Sequence, residues 1–102
     1  MEKNILFRIH KSYRWVVAVC DKDLIGKCFT EGNRQIDLTG NFFKGEPVDE
    51  NKAKSEILRC LREDATFNIV GGKSVGLVRD MGFVKDESII KIGDVPFVLM
   101  LL

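Results

Sequence analysis

The sequence predicts a single α+β domain over residues 1–102, in the order β-β-β-α-α-β-β: a mainly antiparallel sheet with two helices packed against it. Three observations carry this. Apolar residues alternate with polar ones near both ends of the chain, as in half-buried strands, and recur every three to four residues in the middle, as on one face of a helix. Strands and helices do not alternate as βαβ units, so segregated α+β packing follows. A length of 102 residues fits one domain. A chain of that size buries roughly two-thirds of its unfolded surface, enough for a core without metal or disulfide.

The elements follow in order. Asn4 to His10 alternate, with Ile5, Phe7 and Ile9 on one side and Arg8 and His10 on the other. After a turn at Lys11–Arg14, Trp15 to Cys20 form a second strand of β-branched and aromatic residues, paired with the first as a hairpin. Gly26 and Gly32 punctuate a turn-rich stretch before a short third strand, Gln35–Leu38, with Ile36 and Leu38 on one face. Phe42 and Phe43 then anchor a loop. Asp49 stands at the N-cap of a helix whose stripe is Ala53, Ile57, Leu61 and Ala65, widened by Leu58 and Cys60 and running to about residues 68–70. A shorter helix spans about Val75–Met81, closed by Gly82 as a left-handed cap. Ser88–Ile92 and Val95–Leu101 form the last hairpin around Gly93-Asp94, a turn expected to be type II′ because glycine comes first. Pro96 cannot donate to a ladder and belongs at an edge or a strand's first residues.

Composition excludes several classes. Lysine and arginine number 16 against 15 acids, a net charge of +1, so the whole molecule has no bias toward nucleic acid or membrane. Three scattered cysteines, Cys20, Cys28 and Cys60, do not form a disulfide framework and read as reduced thiols of a cytoplasmic protein. The N-terminal residues lack the pattern of a signal peptide. The longest apolar run, PFVLMLL, is far below the roughly 20 residues of a membrane span. No cofactor or metal site is expected, since ligand types are dispersed and His10 is the only histidine. No catalytic spacing of nucleophile, base and acid occurs. Cys20 and Asp21 fall on opposite faces of their strand and cannot act together.

Three candidate sites remain. Arg8, His10, Lys11 and Arg14 cluster around the first turn with Tyr13 and Trp15 between them, the mixture that stacks bases and neutralises phosphate. NIVGGKS, residues 68–74, has the ending of a phosphate-binding loop, but the first glycine of that motif falls on Phe67. The preferred reading is a turn between two helices, with Gly71 or Gly72 ending one and Ser74 capping the next. Gly71, Gly72, Lys73 and Ser74 are then left as a place for a single phosphate or sulfate. Phe42 and Phe43 with Lys44 are the candidate surface for a protein partner.

Four stretches, VVAVCDKDLIGKCFTEG, FFKGEPVDE, NIVGGKSVGLVRDMGFV and IIKIGDVPF, resemble the small archaeal family called domain of unknown function 424. The resemblance extends from about Phe7 to Val98. It carries no catalytic or binding residue with it, and where the family pattern often has a histidine after the last proline this chain has Phe97. What the resemblance implies is an archaeal cytosolic protein, an accessory to translation or RNA handling. The residues and the resemblance together favour a non-enzymatic protein that binds RNA or a ribonucleoprotein, ahead of a protein–protein adaptor and of an enzyme with a small-molecule pocket.

Overall fold

The computed structural model describes residues 2–101. The N-terminal hairpin forms as the alternation requires: β1 (Ile5–His10) pairs antiparallel with β2 (Val16–Asp21), with Phe7 opposite Val19 and Arg8 opposite Ala18. A second hairpin, β3 (Cys28–Glu31) and β4 (Arg34–Asp37), makes a small separate sheet, and Ile36 and Leu38 are both buried as expected. Next come β5 (Glu46–Val48), α1 (Glu50–Leu61), β6 (Thr66–Val70), α2 (Gly72–Asp80), β7 (Ile90–Ile92) and β8 (Val95–Met100). The main sheet has the order β5-β1-β2-β6-β8-β7, antiparallel throughout except where β2 and β6 run parallel at its centre.

The helices share one face. Ala53, Ile57 and Cys60 of α1 and Val75, Leu77 and Val78 of α2 pack onto Val17, Val19, Phe67, Ile69, Val98 and Met100. Behind the sheet, Cys20, Val70, Ile92 and Val95 meet Ile36 and Leu38 of the β3–β4 region in a second, smaller core. Asp49 caps α1 through Lys52 N–H at 2.8 Å, and Gly82 (φ +85°) closes α2 with Gly82 and Phe83 N–H donating to the carbonyls of Arg79 and Val78.

Four expectations need correction. The first helix ends at Leu61 because Asp64 takes a positive φ of +55°, a conformation aspartate tolerates, and Thr66–Val70 form a strand. The four-residue stripe had run on into Ala65, hiding the alternation of Phe67 and Ile69. Leu58 stands out in solvent instead of widening the apolar stripe. Residues 28–31 and 46–48 form strands where the sequence suggested only turn and loop. Gly93 and Asp94 have φ of +56° and +67°, so the last hairpin turns by type I′, not II′.

The loop before β5 lies hard against β1. A Cβ built on Gly45 would sit 2.5 Å from the backbone carbonyl carbon and oxygen of Phe7. Gly45→Ala is therefore expected to lower stability by about 1–3 kcal/mol through overpacking. A denaturant midpoint equal to the parent's would show that this loop shifts freely.

Candidate functional site

The β1–β2 turn projects a single aromatic side chain. Tyr13 is fully exposed, with Lys11 and Arg14 also on the surface beside it. Trp15 is turned inward against the helix-side core, and Lys11 lies over its ring at 4.8 Å, a cation–π pair. Arg14 donates to the carbonyl of Asp64 at 3.0 Å, tying the β1–β2 turn to the turn between α1 and β6.

The other two members of the basic cluster face the opposite side of the sheet and hold the loop around residue 42. Arg8 donates to the carbonyl of Asn41 at 2.6 Å, and His10 Nε2 is hydrogen-bonded to that of Phe42 at 2.9 Å. The Phe42 ring stacks on the His10 ring, centroids 4.6 Å apart and planes nearly parallel. Phe43 meets Phe42 edge-on and packs into the second core. The two phenylalanines thus divide: Phe43 anchors the loop, while Phe42 keeps 42% of its surface exposed.

The Gly71–Ser74 turn joins a strand to a helix, not two helices. Gly71 is the N-cap of α2 at φ +107°, and Ser74 lies within the helix, fully buried. The capping group comes from another strand. Asp21, at the end of β2, accepts from Lys73 N–H at 3.0 Å, Ser74 N–H at 2.8 Å and the Ser74 hydroxyl at 2.7 Å. Its carboxylate sits where a phosphate would meet these donors and the positive end of the helix dipole. An external anion at this turn competes with a carboxylate built into the fold. Nothing in the spacing of the sequence linked Asp21 to residues 52 and 53 positions away. The parallel pairing of β2 with β6 brings them together, with Cys20 opposite Val70.

Burial pushes the Cys20 thiol up to about 12, helped by the neighbouring Asp21 charge, and burial also raises that of Cys60. Both are held as poor nucleophiles at neutral pH; Cys28 is the exposed thiol. Among the described residues, no three His, Cys, Asp or Glu side chains converge as metal ligands. Among the described residues, no helix is long and apolar enough to cross a membrane. A groove of about 510 Å³ lies between α2 and β7 along Val75, Gly76, Arg79 and Lys91, and Arg79 is bridged there to Asp80 and Asp86. A smaller one of about 230 Å³ opens on the sheet face opposite the helices, between β4, Phe43, Asn68 and Phe97.

These features define a class: an α+β domain with both helices on one face of a six-stranded sheet and a hairpin partly covering the other. Residues 9–102 match the family described as Protein of unknown function (DUF424), and the chain belongs to that family. It is similar in structure to an uncharacterized conserved protein from Methanopyrus kandleri, with a TM-score of 0.83 and 26% identity over 94% of this chain and 89% of that one. No curated protein matches the chain.

Proposed function

We propose that this protein is a non-enzymatic accessory protein of the archaeal cytoplasm that binds single-stranded RNA, free or within a ribonucleoprotein, through its β1–β2 turn. The observation that carries the reading is Tyr13, wholly exposed between Lys11 and Arg14. An aromatic ring on a turn offers a stacking surface to any base, and two flanking cations neutralise phosphates on either side. Folding alone gives Tyr13 no apolar surface to cover.

The test is titration of fluorescent single-stranded RNA against the parent and a Lys11→Ala, Tyr13→Ala, Arg14→Ala variant. The variant is expected to bind at least tenfold more weakly at low salt. Losing two phosphate contacts lowers the slope of log affinity against log salt by about 1.4. Equal binding by parent and variant, or none by either, would overturn the reading. Arg8 is left in place because it holds the loop at Asn41.

A second reading, a protein–protein adaptor, is supported by the exposed Phe42 ring. Partners that stay bound through nuclease and high salt, and are lost on Phe42→Ala, would favour it.

A further inference from the structure

Asn68 occupies the centre of β6, the strand flanked by β2 and β8 in the middle of the main sheet. Phe67 and Ile69 on either side of it are fully buried against the helices, so Asn68 points to the opposite face. There it lies in one row with Arg8, Ala18 and Leu99 across four strands. Asparagine is disfavoured inside strands, and no packing need calls for one here. Its side chain is only partly buried, and its amide stays open to water and is not a buried group left unsatisfied.

That amide opens into the groove of about 230 Å³, whose walls include the rings of Phe43 and Phe97 and whose polar rim is Gln35 and Asp37. Drug-sized ligands fill pockets of ~300–1,000 Å³; this one is smaller and suits a single flat ring. Gln35 spends its NH₂ on the Cys28 sulfur, leaving its carbonyl oxygen available. Polar groups of Asn68, Gln35 and Asp37 thus border a space between apolar walls. Asn68 stands on the strand that pairs in parallel with the end of the turn, Val16 lying opposite Thr66. Thr66 N–H donates to the Trp15 carbonyl at 3.0 Å, and Asn68 lies two residues further along the same strand, about 7 Å away. Between them on this face are Val16 and the stacked pair His10–Phe42.

We infer that Asn68 is a base-reading residue: an RNA strand held at Tyr13 continues onto the open sheet face and places one nucleobase in the groove, its edge hydrogen-bonded to the Asn68 amide. The inference rests on the RNA reading of the turn and adds specificity to it. An amide pairs one donor and one acceptor with a base edge, which phosphate contacts at Lys11 and Arg14 do not do.

The experiment measures affinities for four ten-nucleotide homopolymers, A, C, G and U, on the parent, Asn68→Ala, Asn68→Asp and the triple turn variant. The parent is expected to prefer one base by about fivefold or more. Asn68→Ala levels the four affinities toward the weakest with an unchanged salt slope. Asn68→Asp, which keeps acceptors and loses donors, reorders them. The turn variant weakens all four together. A parent without base preference, or an Asn68→Ala variant that keeps the parent's order, overturns this inference while the turn's role stands or falls on its own variant. If no homopolymer binds the parent, both are overturned. Circular dichroism and thermal melting verify that each variant is folded.

Discussion

Replacing Gly71 with alanine is expected to cost about 3–5 kcal/mol, among the largest effects any single substitution here can have. Two terms add. At φ +107° and ψ 153° the residue occupies a region open essentially to glycine alone, worth about 1–3 kcal/mol of strain for any other residue. The new Cβ would also overlap the carboxyl group of Asp21, which cannot retreat without releasing the α2 N-terminus. Thermal melting reads the result at about 4–8 °C per kcal/mol for a domain of this size. Gly76→Ala is the matching control: it lies inside α2, a Cβ there meets nothing within 4 Å, and about 0.5–1 kcal/mol of stabilisation is expected. A Gly71→Ala protein as stable as the parent would mean that the turn is not held as described.

Asp21→Ala is the second large effect, about 3 kcal/mol or more. It leaves the N–H groups of Lys73 and Ser74 and the buried Ser74 hydroxyl without their acceptor, at about 1–3 kcal/mol for each buried donor that water does not reach. Asp21→Asn keeps one oxygen but presents an NH₂ to donors and loses the charge facing the helix dipole, so an intermediate loss is expected. Urea denaturation of the two variants orders them. The double variant Gly71→Ala with Asp21→Ala carries a sharper expectation. Removing the carboxylate frees the space that the Cβ needs, so the combined loss falls short of the sum by about 1 kcal/mol or more. Additivity would show that the two residues do not press on one another.

The place of Asp21 bears on function as well as stability. A strand, a glycine turn ending Gly-Lys-Ser and a helix are all present at residues 66–80, the local ingredients of a phosphate cradle. The chain supplies its own anion to that cradle. Tyr13 on the exposed turn and Asn68 on the sheet face opposite the helices remain accessible to solvent.

Much of the fold was legible because its causes are local. The β1–β2 hairpin, the Asp49 cap, the buried stripe Ala53–Ile57, the Gly82 closure and the Gly93-Asp94 hairpin all follow from the periodicity or backbone preference of a few neighbouring residues. The strand at Thr66–Val70 was masked because Ala65 prolongs the helical stripe by one step, and only the left-handed turn at Asp64 breaks it. The β3 and β5 strands escaped notice for a different reason. They are short, Pro47 and exposed polar residues blur their alternation, and each exists by pairing with a partner strand.

By itself, the sequence determined the α+β class, the buried stripe of Ala53, Ile57 and Cys60, the basic and aromatic make-up of the first turn, and the placing of Phe42 and Phe43 in a loop between strands. Tertiary structure alone decided which of those groups remain available. It turned Trp15 inward and left Tyr13 out, spent Arg8 and His10 on the loop at residues 41–42, and set Asn68 in an open groove. It also carried Asp21 to a helix more than fifty residues away. The physical reason is the central parallel pairing of β2 and β6. Periodicity reports which side of an element is apolar, but which distant polar group satisfies a buried donor depends on the order in which strands assemble.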